Sequence, residues 1–248
     1  MSFFEHLSDL RKRLINSLIA IGIGMVAGIF VSERFLTWLA KPIQVALAAV
    51  HLSDKLIYTK PTGYIALIIS TGLYLGIVLA SPVVFYQLWL FVAPGLYRHE
   101  RRAVTLFVIS SVFLFLCGMG FGYYVMLPLS LKFLLSFQGP VTPLISINDY
   151  FDLVVIILVG LGLIFEMPIL IFFLSVFGIV TPRFLLRNFR YAILIITILA
   201  AIVTPSPDAT TMVIFMAPMI VLYFVGVGVS YLVVRKRRAQ AIVREGAG

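Results

Sequence analysis

Long apolar runs separated by short polar stretches dominate the pattern along the chain. Each run predicts a membrane-spanning helix, because about 20 apolar residues in a helix match the hydrocarbon core of a bilayer. The runs lack the alternation of a barrel strand, so the predicted fold class is an all-α integral membrane protein with six transmembrane helices. We treat residues 1–248 as a single membrane domain with a basic tail, 235–248. The predicted spans are residues 14–36, 64–90, 103–127, 150–177, 189–203 and 212–234.

The fifth and sixth spans are expected to be short. The apolar part of the fifth, residues 191–203, would make a helix of about 20 Å, against a hydrocarbon core of about 30 Å. Pro218 falls within the sixth run and is expected to interrupt it. For the fifth span an alternative stays open, in which the helix extends back to Phe184 while Arg187 and Arg190 reach out to the interface.

The distribution of basic residues predicts the orientation. Lys and Arg concentrate on the cytoplasmic side of membrane proteins. The two termini and the second and fourth loops hold 14 of the 19 Lys and Arg residues, and the opposite side holds five. We therefore expect both termini to be cytoplasmic, which an even number of spans requires. The five on the opposite side are Arg34, Lys41, Lys55, Lys60 and Lys132.

Composition excludes several classes of protein. Hydrophobic residues make up 62% of the chain and charged residues 12%, whereas soluble domains average about 25% charged residues. A soluble enzyme, a disordered chain and a free nucleic-acid-binding domain are therefore excluded. The net charge of +9 is attributed to anchoring at the membrane, with lipid rather than nucleic acid as the partner. Cys117 is the single cysteine, and His51 and His99 lie on opposite sides, so no metal site and no cofactor are expected.

Glu166 is the most distinctive single residue. It lies in the middle of the fourth apolar run, and an ionisable group within the membrane is a functional candidate by default. Pro168 follows two residues later and cannot donate a hydrogen bond to the Ile164 carbonyl. The alternative is a protonated carboxyl group that only ties helices together.

Other acidic residues have simpler explanations. Residues 3–14 form an amphipathic helical pattern in which Asp9 and Arg13 are one turn apart, as in an ordinary ion pair. Glu100 can likewise pair with a neighbouring arginine. Asp208 is expected to cap the sixth helix. From spacing alone, a structural role is the favoured interpretation of each of these acids.

Four stretches form an ordered set of motifs along the chain: EHLSDLRKRL (5–14), SPVVFYQLWLFVAPGLYRHERR (81–102), FEMP (165–168) and TPSPD (204–208). Taken in this order, they resemble the TatC family, the multispanning core of the twin-arginine protein translocase. The block around Phe91, Pro94 and Glu100 is the most specific part of the resemblance, which covers nearly the whole chain. Pro42, Glu166 and Asp208 also fall on motif positions, and we expect Pro42, Pro94 and Asp208 to be structural.

The resemblance implies a receptor for twin-arginine signal peptides on folded cargo. Two guanidinium groups require fixed carboxylates, and arginine forms bidentate pairs that lysine cannot reproduce. Glu100 matches an acidic position of the family, and Asp9 stands where the family commonly has Glu. Arg11, Leu14 and Phe91 also fall on positions tied to recognition. This interpretation replaces the structural one for Asp9 and Glu100.

The resemblance also implies an arrangement and partners. The six helices would form a concave, glove-like wall, with Glu166 pointing into the concavity. Single-span subunits of the TatA and TatB types would dock at the fifth and sixth helices, near Thr204 and Met212, where Met212 replaces the Gln that is frequent in the family. Self-association in a larger complex is expected, as is transport driven by the proton gradient.

Two further expectations concern activity and location. No catalytic residues are expected, since an intramembrane enzyme would need a second carboxylate or a Ser/His pair at depth. No transit peptide is seen, which favours the plasma membrane of a prokaryote. The alternative function is a proton-coupled small-molecule transporter that uses Glu166 as its relay.

Overall fold

The structure is a computed structural model that describes residues 3–52, 56–92, 101–136, 144–204 and 208–245. Within these ranges the chain is helical, and its one β-bridge joins Ile57 to Ser146. The helices are α1 (Phe3–Leu39), α2 (Lys41–Ala49), α3 (Gly63–Val92), α4 (Arg101–Phe121), α5 (Leu127–Leu134), α6 (Ile147–Ile164), α7 (Met167–Val176), α8 (Pro182–Arg187), α9 (Phe189–Val203) and α10 (Ala209–Glu245).

Five helical segments of the described chain are long and apolar enough to cross a membrane. They cover residues 7–49, 63–91, 105–134, 147–176 and 209–235. Each contains one of the predicted spans or most of it. A further apolar helix, α9, coincides with the predicted fifth span and has 15 residues, about 22 Å of helix, which is short for a membrane crossing. The alternative of one helix from Phe184 is wrong, because α8 ends at Arg187 and Asn188 separates it from α9.

The expectation of a short sixth helix is wrong. Helix α10 has 37 residues and continues through Pro218 without a break. A proline removes one backbone hydrogen bond, but helices that pack within a membrane tolerate it where neighbouring groups support the backbone. Pro82 lies inside α3 in the same way.

The predicted fourth span, 150–177, is two helices rather than one. Helix α6 ends at Ile164, and α7 begins at Met167. At the break, the Glu166 N–H donates to the Leu163 carbonyl three residues back, at 3.1 Å. Pro168 lies in the first turn of α7, where its missing N–H costs no helical hydrogen bond.

A wide helical turn separates α4 from α5. Residues Gly122–Met126 form a single stretch of π-helix, and α5 follows it directly. Such turns interrupt otherwise regular α-helices and hold one more residue than the surrounding turns.

Two compact units divide the described residues. The first comprises residues 1–113 and 127–155. Its main contact joins α1 to α3, where Gly24 faces Gly76 and Gly28 faces Gly72. A Cβ atom on Gly24 would lie 2.7 Å from the Gly76 carbonyl oxygen, so only glycine permits this approach. Small residues allow helix backbones to pack closely in membranes.

Two buried hydrogen bonds tie further helices into the first unit. The Trp89 indole N–H donates to the Ser111 hydroxyl at 2.8 Å and links α3 to α4. The Tyr150 hydroxyl donates to the Leu39 carbonyl at 2.7 Å and links α6 to the end of α1. Both bonds satisfy polar groups that would be costly to leave unpaired in an apolar interior.

The second unit comprises residues 114–126 and 156–248. Helix α10 packs against α7, α8 and α9. The Ser175 hydroxyl bonds to that of Ser230 at 2.7 Å, and the Tyr223 hydroxyl donates to the Leu185 carbonyl at 2.9 Å. These buried bonds hold α7 and α8 against α10.

Candidate functional site

The predicted signal-peptide residues that the structure describes all belong to the first unit. Asp9, Arg11 and Leu14 lie on the first turns of α1, and Phe91 lies in the last turn of α3. Glu100 and Pro94 fall outside the described residues. We call the end of the α1–α3 pair that carries Asp9, Arg11, Leu14 and Phe91 the Asp9 face.

The pairing of α1 with α3 determines how far along the two helices these residues lie. Gly24 faces Gly76 and Gly28 faces Gly72, so α1 and α3 run antiparallel. A residue four positions later in α1 therefore faces a residue four positions earlier in α3. Continuing this register toward the N-terminus of α1 brings the turn that contains Asp9 to the level of Phe91. Asp9 and Phe91 are 82 positions apart in the sequence, and the pairing of α1 with α3 brings them to the same height along the two helices.

Asp9 already holds a guanidinium group. The Arg13 Nε donates to the Asp9 Oδ2 at 2.7 Å, one helical turn away. The Asp9 side chain is 32% exposed and the Arg13 side chain is 19% exposed, so the pair is partly buried and partly open to a ligand. The predicted one-turn ion pair is therefore present, and the carboxylate has a geometry that an arginine can use.

Apolar residues next to Asp9 are exposed. Leu14 is 58% exposed, and Leu7, Leu10 and Leu18 on the same helix are also exposed. Arg11 is exposed as well. A carboxylate beside an apolar helix face suits a ligand that combines positive charge with an apolar segment.

Glu166 lies in a separate, apolar groove in the second unit. The groove has a volume of about 520 Å³. We call it the Glu166 groove. It is lined by the end of α6, by α7 and α9, and by Leu185 and Tyr223 from α8 and α10.

The helix break places Glu166 at the start of α7. Its backbone carbonyl accepts a hydrogen bond from the Leu170 N–H at 3.0 Å, while both oxygens of its carboxyl group are buried. The lining is otherwise almost entirely aliphatic, which suits an apolar helix more than a hydrophilic solute. The sequence identified Glu166 but gave no signal for Leu185 or Tyr223, because they reach the groove from distant elements.

The predicted docking residues flank the turn between α9 and α10. Thr204 ends α9, and its hydroxyl donates to the Ala200 carbonyl of the same helix. Met212 lies in the first turn of α10 and is half-buried. Asp208 Oδ1 accepts from the Thr211 N–H at 2.8 Å, which is the capping arrangement that the sequence predicts.

Pro42 has a local structural role. It lies in the first turn of α2, directly after the end of α1, where a proline costs no helical hydrogen bond. Within the described residues, no group of three or more His, Cys, Asp or Glu side chains is arranged to hold a metal ion.

Comparison with known proteins gives consistent similarities. Residues 5–218 match the family described as Sec-independent protein translocase protein (TatC). A TatC protein of Koribacter versatilis is 45% identical over 99% of this chain and 92% of its own length. The TatCy protein of Bacillus subtilis is 35% identical over 95% of this chain and 91% of its own.

A solved structure is similar throughout. The crystal structure described as the twin arginine translocase receptor TatC superimposes with a TM-score of 0.80 at 36% sequence identity. The match covers 92% of this chain and 99% of the crystallised one.

Proposed function

Since the chain belongs to the TatC family and is a core subunit of a twin-arginine translocase, we propose that its Asp9 face and Glu100 bind the twin-arginine signal peptide of cargo. The family consists of translocase components and is not a known family of enzymes. Family membership favours this function over a proton-coupled transporter of small molecules. The cargo would be folded proteins, and the proton gradient would drive their passage.

The membrane arrangement supports a cytoplasmic location for this site. The chain is a multi-pass membrane protein, as its long apolar helices and bacterial relatives indicate. We propose a prokaryotic plasma membrane, with six crossings arranged as a concave wall and both termini in the cytoplasm. The excess of Lys and Arg at the termini and in the second and fourth loops supports this orientation. It brings Asp9 to the side where cargo is made.

The Asp9–Arg13 pair is the observation that carries the proposal. An arginine side chain already binds this carboxylate at 2.7 Å, in the same chemistry that a signal peptide would use. The carboxylate of Glu100 would bind the second arginine of the signal. A pair of carboxylates favours guanidinium over ammonium, because the planar guanidinium fork matches a carboxylate with two parallel hydrogen bonds.

The remaining residues of the Asp9 face would position the peptide. Phe91 lies at the level of Asp9, where its ring can pack against an arginine or an apolar side chain of the signal. The exposed Leu14 continues the apolar stripe of α1 away from the charged end. The apolar segment of the signal would lie along this lipid-facing stripe, and Arg11 would orient the polar backbone of the peptide.

The Glu166 groove suits a different partner. We assign it to the transmembrane helix of a single-span subunit of the TatA or TatB type, since its lining is aliphatic and its volume suits several side chains. Thr204 and Met212 would complete the docking region at the α9–α10 turn. The Thr204 hydroxyl is already committed as a donor to its own helix, and Met212 has no amide, so contacts here would be mainly apolar.

Peptide binding tests the receptor function. The purified protein is titrated with a labelled signal peptide that carries Arg-Arg and with its Lys-Lys twin. We expect preferential binding of the Arg-Arg peptide, and loss of that preference in Asp9→Asn and Glu100→Gln. Asp149→Asn is the matched control, because Asp149 is an exposed acid in the first turn of α6.

The outcomes separate the receptor from its alternatives. Equal binding of the two peptides by the unaltered protein would contradict the proposed recognition of guanidinium groups. Flux of a small solute in liposomes containing this protein alone, abolished by Glu166→Gln, would instead support the transporter.

A further inference from the structure

A second cavity lies in the first unit, where α1 passes into α2. Its volume is about 690 Å³. We call it the Glu33 cavity. Its polar lining is Glu33, Thr37, Gln44 and Tyr64, and its apolar lining is Leu36, Ala40, Leu56, Leu67 and Ile147. Nothing in the proposed receptor or docking functions uses it.

The cavity lies at the level of lipid headgroups. Between Arg13 and Glu33 the sequence of α1 has no charged residue, and this distance of 20 residues corresponds to about 30 Å of helix. A bilayer core is about 30 Å thick, so Arg13 and Glu33 mark its two boundaries. Tyr64 and Ile147 begin the apolar parts of α3 and α6 at the same level, and Tyr is favoured at membrane interfaces.

Several elements hold the cavity open and fixed. The Asn148 side-chain amide donates to the Gly63 carbonyl at 3.1 Å, which ties the start of α6 to that of α3. The β-bridge between Ile57 and Ser146 joins the segment before α3 to the residue before α6. The Tyr150 bond to Leu39 fixes α6 against the end of α1. The cavity is therefore built by tertiary contacts among three helices.

Its chemistry suits a primary ammonium group beside an apolar body. Glu33 Oε1 accepts a hydrogen bond from the Tyr64 hydroxyl at 3.2 Å, which orients the carboxylate. Among the described residues that line the cavity, none is basic. Arg34 and Lys41 are exposed next to the lining residues in sequence, where they are available to a phosphate. A carboxylate, nearby cations and an apolar wall match the amine, the phosphate and the glycerol region of one lipid.

We propose that the Glu33 cavity binds the headgroup of a phospholipid with a primary amine, of the phosphatidylethanolamine type. Its ammonium donates hydrogen bonds to Glu33, and its glycerol region packs on Leu36 and Leu67. A choline headgroup carries the same charge but has no N–H to donate. A glycerol headgroup lacks the cation. The site therefore discriminates by hydrogen bonding as well as by charge.

Native mass spectrometry of the full chain in detergent tests this proposal. The protein is titrated separately with phosphatidylethanolamine, phosphatidylcholine and phosphatidylglycerol of identical acyl chains. We expect one ethanolamine lipid to bind at concentrations about tenfold lower than the choline lipid, the scale of a charge-assisted hydrogen bond. Glu33→Gln removes this preference, and Tyr64→Phe reduces it. Asp149→Asn, a neighbouring exposed acid outside the cavity, leaves it unchanged.

A melting curve of each variant in detergent shows whether it is folded. If a folded Glu33→Gln retains the ethanolamine preference, the proposal is wrong. Equal binding of all three lipids by the unaltered protein also overturns it, and leaves the cavity to a basic side chain of a protein partner. Tightest binding of the glycerol lipid overturns it in favour of Arg34 and Lys41 as the dominant groups.

Discussion

At the scale of single residues, the acids of this chain show what spacing can and cannot predict. The Asp9–Arg13 pair follows from helical spacing alone and is present. Asp208 as a helix cap follows from the turn residues around it. Glu33 had no such signal, because its partner Tyr64 is 31 positions away and only the pairing of α1 with α3 brings the two together. Spacing predicts local partners, whereas distant partners depend on tertiary contacts.

In the proposed receptor, Arg13 would compete with the signal peptide for Asp9. Replacing Arg13 with Gln frees the carboxylate, and we expect an Arg-Arg peptide to bind about twofold more tightly, since a surface pair of this kind is worth about 0.3–0.5 kcal/mol. Titration of a labelled peptide measures the change. Lys12→Gln is the control, as it removes the same charge from a neighbouring exposed position. Weaker binding in Arg13→Gln alone would mean that Arg13 orients Asp9 for the peptide.

Substitutions of Glu100 and Glu166 should have different effects on signal-peptide binding. Glu100→Ala is expected to abolish recognition of the signal peptide while membrane insertion stays intact, because a paired guanidinium loses its counter-charge. Glu166→Ala should be milder, because the Glu166 groove is apolar and its proposed occupant is a helix. Peptide titration and quantification of membrane-inserted protein measure the two effects. Equal loss of binding in both variants would contradict these assignments.

At the scale of elements, hydrophobic runs predicted which segments are helical but not where each helix is interrupted. The runs around Pro168 and Pro218 both contain a proline after long apolar stretches. One breaks at Phe165–Glu166, and the other continues as a 37-residue helix. The local sequence does not distinguish them, because a proline within a membrane helix is tolerated or not according to the neighbours that support its backbone. Those neighbours belong to other elements.

Close packing of α1 on α3 makes Gly76 sensitive to a single methyl group. A Cβ atom there would lie 2.6 Å from the Met25 backbone nitrogen and 2.8 Å from the Ile21 carbonyl oxygen, and neither can move without its helix. We expect Gly76→Ala to lower the free energy of unfolding by about 1–3 kcal/mol, the usual cost of overpacking. The midpoint of thermal unfolding in detergent measures this.

Gly22→Ala provides the control for the packing prediction. A Cβ atom at Gly22 meets nothing within 4 Å, so stability should stay the same or rise slightly, because alanine favours the helix. Equal destabilisation by both substitutions would contradict the packing prediction, because contact with α3 could not then explain the effect.

At the scale of the whole molecule, composition and hydropathy were sufficient to predict a multi-pass helical membrane protein. The ordered motifs were sufficient to predict the family. Which helices pack together was less accessible: the structure shows that Gly24 and Gly28 of α1 pack closely on α3, and that Gly118 of α4 packs closely on α6. The pattern of a single sequence can show that one face of a helix carries small residues, but it does not identify the helix that packs against that face. The partner surfaces are selected by complementarity across the fold.

Orientation is the prediction that belongs to this scale. In a Cys117→Ser background, Ser8→Cys and Ser136→Cys place single thiols at exposed positions near the start of α1 and after α5. We expect a membrane-impermeant maleimide to label Ser136→Cys in intact cells and Ser8→Cys only after the membrane is opened. Labelling in the reverse order would show that the termini are outside. The distribution of Lys and Arg provides the physical reason for the expected order.

The π-helical turn at Gly122–Met126 has a consequence for how this chain can change in length. An α-helix advances by about 100° for each residue, so one added residue rotates everything that follows it by that angle. The wide turn absorbs one such residue: Gly118 and Gly122 before it contact α6, while α5 after it packs against α2. Deleting one residue between 122 and 126 would therefore restore a regular helix and leave α5 in the same angular phase, whereas deleting one residue in the regular turns of α4 would rotate α5 away from α2 by about 100°. The protein should tolerate the loss of one residue within this turn better than a loss elsewhere in α4, because only the wide turn has a residue to spare.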